Sequence, residues 1–353
     1  GVSGDRHRAS APGGGDCGCR GGTATGATGP SQRVGAAGAM RFTVWGSRGS
    51  HPTPLTPDAV RSKISTVVQR IHPSDLRDAA SRERFLASLP SWLFGTTGGN
   101  TACVQLELDE RRQLVFDAGS GIIGFGRSQF YRDPPPSEYH IFFTHFHYDH
   151  VQGLPFFPHA FNPGVAVHFY SPLEGLQEIL SGHMQHPYFP ITMEDKMSPN
   201  LFFHRLDEAP LTLYGARIRW RELNHPGRAF GYRIDYEGRS FGYLTDVELE
   251  PGDFEKTPEN AAIFSDLDAM ILDTQYTLDE AIEKYNWGHS SFSLGVDFAL
   301  AWNARRLFMF HHEPAYDDKK IEHNLSSARW YANRIGGGEL RIELAREGVS
   351  IDV

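Results

Sequence analysis

Thr144-His145-Phe146-His147-Tyr148-Asp149-His150 places four ligand-type side chains within six residues, directly after the apolar run Tyr139-His-Ile-Phe-Phe143. A strand end that feeds a loop presents alternating side chains to one side, so His145 and His147 can chelate one ion. Asp149 and His150 then turn into the next element and can reach a second. Imidazole combined with carboxylate suits zinc, with manganese or ferrous iron as alternatives. Histidine is a scarce residue, and a polar loop that collects it this densely by accident is the weaker reading.

Working downstream, His225 stands in Glu222-Leu-Asn-His-Pro-Gly227, Asp246 closes Tyr243-Leu-Thr-Asp246, and His311 follows the apolar run Arg306-Leu-Phe-Met-Phe310. With these residues in view, the chain resembles the metallo-β-lactamase superfamily. Its signature is His-x-His-x-Asp-His after a strand, followed by a His, an Asp and a final His at later strand ends. The resemblance implies an α/β fold, a four-layered αββα sandwich, with two divalent metal ions. It assigns His145, His147 and His225 to one metal, Asp149, His150 and His311 to the other, and Asp246 to both. His312 is adjacent to His311 and stays open as the alternative last ligand. Asp117, in Phe116-Asp-Ala-Gly119, matches another motif of the superfamily and is expected to hydrogen-bond the loop beneath the metals.

Residues outside the first motif bear on the branch. Zinc β-lactamases of the best-known classes carry Cys where this chain has Asp246. Gly288-His289-Ser-Ser291, followed by a helix and the strand that ends before His311, is similar to the Gly-His-Ser-Thr segment of ribonuclease Z and related phosphodiesterases. Trp45-Gly-Ser-Arg-Gly49, Gly99-Asn100-Thr101, Asn224-His-Pro-Gly227 and Phe310-His-His-Glu-Pro314 resemble bacterial relatives of the class II cyclic-nucleotide phosphodiesterase type, over most of residues 40–320. The resemblance implies hydrolysis of a small phosphodiester or nucleotide-like substrate by a metal-bound hydroxide. Asp149 would serve as ligand and proton acceptor, and His289 would orient the phosphate or protonate the departing alkoxide. The same site can hydrolyse thioesters, lactones or amides. A non-catalytic ligand-binding protein is the third reading.

The rest of the chain fits a globular enzyme. Its 353 residues, 40% of them hydrophobic and 22% charged, can bury a sizeable core. Residues 1–39 are dominated by Gly, Ala, Ser and Arg and are expected to be a disordered tail, with Met40 as the natural start of a hydrolase domain spanning 40–353. Residues 59–93 carry helical spacing interrupted by Pro73, with an N-cap signal at Ser74, and read as a helical insertion. From Thr101 onward short β-rich runs alternate with loops and helices, ending in a helix over 291–303, a strand over 306–310, a helix over 317–335 and a strand over 339–345.

No run of 18 apolar residues exists, so no membrane span is expected. The absence of a secretion-signal stretch and the presence of only three cysteines, Cys17, Cys19 and Cys103, favour a reducing, cytoplasmic setting. A net charge of −9 works against gripping long nucleic acid. Superfamily relatives often dimerise, so a homodimer is an open expectation. In His186-Pro-Tyr-Phe-Pro190, Tyr188 and Phe189 read as packed side chains, with a base-stacking pocket wall as the alternative.

Overall fold

Residues 40–207 and 209–353 are described by the structure, a computed structural model. The expectation of a disordered tail over 1–39, with Cys17 and Cys19, lies outside these residues. Fourteen strands are described: β1 (Arg41–Gly46), β2 (Cys103–Glu107), β3 (Gln113–Phe116), β4 (Glu138–Phe142), β5 (Ala166–Ser171), β6 (Leu201–Arg205), β7 (Leu211–Leu213), β8 (Ala216–Leu223), β9 (Ala229–Tyr236), β10 (Arg239–Leu244), β11 (Ala269–Asp273), β12 (Arg306–Phe310), β13 (Arg341–Leu344) and β14 (Ser350–Asp352). They form two seven-stranded sheets, in the orders β14-β1-β2-β3-β4-β5-β6 and β13-β12-β11-β10-β9-β8-β7.

Each sheet is antiparallel at one end and parallel at the other. In the first, β14, β1, β2 and β3 pair antiparallel, and β3 to β6 run parallel. In the second, β7 to β10 are antiparallel and β10 to β13 parallel. Parallel neighbours need long crossovers, usually helical, which cover the sheet face. Strands sandwiched in this way read as continuous apolar runs, as β11 does with all five residues buried.

Three apolar layers follow from this arrangement. Between the sheets, Phe42, Phe116 and Phe142 meet Tyr232, Phe241, Tyr243, Phe308 and Phe310. Outside the first sheet, Val115, Ile141 and Phe169 pack with Ile122 and Phe125 of the helix Gly121–Gln129 and Leu176 and Leu180 of the helix Leu176–His183. Outside the second, Met270, Leu272 and Leu307 pack with Val296 and Phe298 of the helix Phe292–Ala301 and Leu325 and Ala328 of the helix Asp318–Arg334. Each fully buried side chain of this size contributes about 1.5–3 kcal/mol. The result is the αββα sandwich that the sequence led us to expect.

Between β1 and β2 stand the helices Pro57–Arg70, Ala79–Ser88 and Ser91–Phe94. Thr56 caps the first by accepting from the Ala59 N–H, with Pro57 at the first helical position. Ser74, expected as an N-cap, lies instead inside a short 3-10 turn, Pro73–Leu76, and Asp78 caps the following helix by accepting from the Ser81 N–H at 2.7 Å. Asp78 directly precedes the helix, whereas Ser74 is held in the turn that Pro73 opens. The edge strands β6, β7 and β14 were not anticipated from the sequence. Among the described residues no helix is long and apolar enough to cross a membrane.

The carboxyl ends of β10, β11 and β12 lie at one edge of the second sheet, because these strands are parallel. The end of β4 and the turn between β8 and β9 come to the same edge, and that edge carries the site.

Candidate active site

Asp117 follows β3 and anchors the loop after β4. Its backbone adopts φ +58°, and its fully buried carboxylate accepts from the Thr144 N–H at 2.8 Å, the Thr144 hydroxyl, and the Tyr243 hydroxyl at 3.0 Å. It also faces His150 Nδ1 at 2.8 Å. With its hydroxyl proton given to Asp117, Thr144 Oγ1 is free to accept from His145 Nδ1 at 3.0 Å. His225 Nδ1 donates to the Gly288 carbonyl at 2.8 Å, and His311 Nδ1 faces Gln275 Oε1 at 2.9 Å. Four imidazoles are thus pinned by Nδ1, which fixes the tautomer and turns Nε2 inward.

What the inward atoms meet is Asp246. Its Oδ1 accepts from the Thr245 hydroxyl at 2.6 Å. Its Oδ2 lies 3.6 Å from His145 Nε2, 3.3 Å from His150 Nε2, 3.9 Å from His225 Nε2 and 3.3 Å from His311 Nε2. Asp149 Oδ2 accepts from the Ser50 N–H at 2.7 Å and stands 3.1 Å from His311 Nε2 and 3.5 Å from His150 Nε2. His147, the solvent-facing member, places Nδ1 3.1 Å from His225 Nε2.

Three donor groups result among the described residues, His145, His147, His225 with Asp246, Asp149, His150, His311 with Asp246, and Asp273, His289, His311 with Asp246, each within 4.8 Å. The first two use the residues of the superfamily signature. Donors on a tetrahedral cation with bonds of about 2.1 Å sit roughly 3.4 Å apart, and the spacings here scatter around that value. His145 Nε2 and His150 Nε2 are buried without a hydrogen-bond partner, a costly condition that a cation between the donors removes. The residues therefore fit two divalent cations sharing Asp246.

Electrostatics point the same way. Burial opposes charge on every member, yet His311, His150 and His145 hold the Asp246 carboxyl well below the usual carboxylate range, and His150 and His311 do the same for Asp149. Conversely, Asp246 and Asp149 raise His150 well above its ordinary value and His311 to about 9, against burial. His145 goes the other way, held well below its ordinary value by burial and the neighbouring His150. The carboxylates attract positive charge to this point, and a cation that binds here displaces protons to do so.

Of the two adjacent histidines, His311 is the one in the cluster. Its backbone at φ +59° swings the ring off the end of β12, a conformation that non-glycine residues rarely keep. His312 instead donates from Nε2 to the Ala345 carbonyl at 3.2 Å, and burial, with Arg48 nearby, pushes its pKa down to about 3. Two glycines make room. A Cβ at Gly49 would lie 2.5 Å from the His311 ring, and one at Gly288, where φ is +87°, would lie 2.3 Å from His225 Nδ1.

His289 joins the same space. Its Nδ1 faces Asp273 Oδ2 at 2.7 Å, and its ring stacks on that of His311 with centroids 4.7 Å apart. Asp273, fully buried at the end of β11, also accepts from the Val247 and Gln275 N–H groups. Glu248 accepts from the N–H groups of Asn286 and Gly288, and so fixes the loop carrying His289. Asp273, Gln275 and Glu248 were missed by sequence reasoning. The available signal was an Asp closing the otherwise apolar run Ala-Met-Ile-Leu-Asp273.

A cleft of about 520 Å³ opens over the cluster, with His289, Ser50, Phe146 and Tyr148 in its wall. Tyr188 is 83% exposed, and Phe189 packs edge-on against Phe156. Neither lines the cleft, nor does any residue of 57–94.

Residues 112–312, more than half of the chain, match the model of the β-lactamase superfamily domain. The chain belongs to that superfamily, and with its buried His/Asp cluster it is a metal-dependent hydrolase. No curated protein gives a significant match by sequence. Among solved structures it is similar to the metallo-β-lactamase fold protein YhfI from Bacillus subtilis, at 14% identity and TM-score 0.58, covering 90% of this chain and 100% of that one. A diphosphatase of the PhnP family is similar at 18% identity and TM-score 0.55, covering 89% and 97%. The short form of human tRNase Z is similar at 16% identity and TM-score 0.55, covering 88% and 98%. At these identities the likeness is one of fold.

Proposed function

We propose that the protein is a phosphodiesterase of the ribonuclease Z-like branch, acting on a small phosphodiester or nucleotide-like substrate with two zinc ions. His145, His147 and His225 hold one ion, Asp149, His150 and His311 the other, and Asp246 both. When bound, the pair supplies an acidified water near neutral pH and positive charge for the phosphoryl oxygens.

The chain's own residues do the rest. Asp149, fixed by the Ser50 N–H, accepts the proton of the attacking water. His289 has Nδ1 committed to Asp273, which leaves Nε2 to face the substrate and hand a proton to the departing alkoxide. The observation that carries the reading is this Asp273–His289 pair beside the cluster. A carbonyl hydrolase has less need of a second, anchored proton donor. The diphosphatase named among the similar folds is in keeping with phosphoryl chemistry. The cleft's size and the net charge of −9 favour a small substrate over transfer RNA.

The test is hydrolysis of bis(4-nitrophenyl) phosphate by protein reconstituted separately with zinc and manganese, beside aryl thioesters and lactones, with Asp149→Ala as the blank. Phosphodiester turnover that vanishes in the variant supports the reading. Turnover of thioesters or lactones alone overturns it.

A further inference from the structure

The chemistry at the floor of the cleft leaves open what its wall recognises. Besides the His/Asp groups, the lining consists of Ser50, Phe146 and Tyr148, with no Lys or Arg among the described lining residues. What this wall offers the remainder of a substrate is aromatic contact and hydroxyl groups rather than further positive charge.

Tyr148 is the residue placed to supply it. It opens the helical turn Tyr148–Val151, next in sequence to Asp149, and its backbone is fixed by the Gln152 N–H donating to its carbonyl at 2.7 Å. Tyr148 is 75% exposed, with the His183 ring tilted toward its own, centroids 5.8 Å apart. Phe146, in contrast, is half-buried against Phe143 at 5.5 Å. A large ring on a fixed backbone has only its two side-chain torsions left to order when a flat group covers it.

We propose that Tyr148 determines specificity by stacking on an aromatic leaving group or base of the substrate. The proposal rests on the reading of the cluster as a hydrolytic site, and gives that site a preference for aromatic over aliphatic esters. Stacking of a base on an aromatic side chain amounts to roughly 5- to 150-fold in affinity.

The test uses two singly charged, non-hydrolysable probes, diphenylphosphinate and dimethylphosphinate, titrated calorimetrically into the zinc-reconstituted protein. We expect the diphenyl probe to bind at least about tenfold tighter than the dimethyl probe. Tyr148→Phe should keep that ratio, and Tyr148→Ala should lose most of it at unchanged zinc content. No aryl preference in the parent protein, or the same preference in Tyr148→Ala, overturns the proposal. Phenylacetate and acetate, titrated in parallel, keep it apart from the phosphodiester reading. An aryl preference that depends on Tyr148 for the carboxylates, with no phosphinate binding, upholds the role of Tyr148 and overturns the phosphodiester assignment.

Discussion

His289 Nδ1 and Asp273 Oδ2 lie 2.7 Å apart at the junction of the β11 carboxyl end and the loop leading into the helix Phe292–Ala301. Asp273 is held by two backbone N–H groups, so it orients the imidazole rather than following it. His289→Ala is expected to reduce turnover about 100-fold or more, the usual worth of a positioned acid, with zinc content intact. Asp273→Asn should reproduce part of that loss. Equal losses of zinc and activity in His289→Ala, measured by elemental analysis beside kcat, would show that the ring serves the metal instead.

Asp117 satisfies Thr144, Tyr243 and His150 at once. Asp117→Ala strands these buried donors, each at about 1–3 kcal/mol, and frees the His150 ring. The expected outcome is a lower Tm together with a 10- to 100-fold, order-of-magnitude fall in zinc affinity. Calorimetric zinc titration checks the second part, and unchanged affinity would contradict it.

Gln275 presents Oε1 to His311 Nδ1 and donates from Nε2 to Glu313 at 2.7 Å. Gln275→Leu keeps the bulk and removes the acceptor, so affinity at the site using His311 should fall by roughly tenfold or more. Gln275→Glu retains the acceptor for His311 but sets a second carboxylate against Glu313, and should restore affinity only in part. A competition assay with a chelator resolves the two variants.

Away from the site, His140 is buried between the hydroxyls of Tyr170 at 3.0 Å and Tyr214 at 2.7 Å and stacks on His168. Burial, then the His168 charge, lowers its pKa from 6.5 to about 4. A lowered folded-state pKa means that the unfolded chain binds the proton first. The stabilisation is therefore complete above pH 6.5 and lost as pH falls toward 4, by at most about 3 kcal/mol. Urea unfolding at pH 7 and pH 5 should show this decline, and His140→Gln should flatten it. Parallel declines in both proteins would place the titration elsewhere.

Four of the metal-ligand candidates were legible because they stand together in one motif after an apolar strand, and His225, Asp246 and His311 because they follow in the order that the superfamily resemblance implies. A strand end is where such side chains can leave the sheet and meet those of other strands. His311 was preferred to His312 from its place just past the strand, but the left-handed backbone that turns its ring into the cluster is announced by no local pattern. Asp273 and Gln275 stayed hidden for a related reason. A single Asp after four apolar residues and a Gln beyond it acquire meaning only when His289 and His311 arrive from 16 and 36 residues away. The strand β6, Leu-Phe-Phe-His-Arg, is a half-exposed edge with no alternation, and β7 and β14 have three residues each, too few for a period to register. Tyr188 drew notice as part of an aromatic stretch, whereas Tyr148, inside the ligand motif itself, is the ring in the cleft wall.

The most direct measurement is zinc content and phosphodiester turnover on the same reconstituted sample, for the parent protein and for Asp246→Ala. With Asp246 shared by the two signature donor groups, the account predicts two zinc ions per chain with measurable hydrolysis of bis(4-nitrophenyl) phosphate, and loss of both in the variant. A parent protein that holds two zinc ions and turns over no phosphodiester, or a variant that keeps both metal and activity, would contradict it.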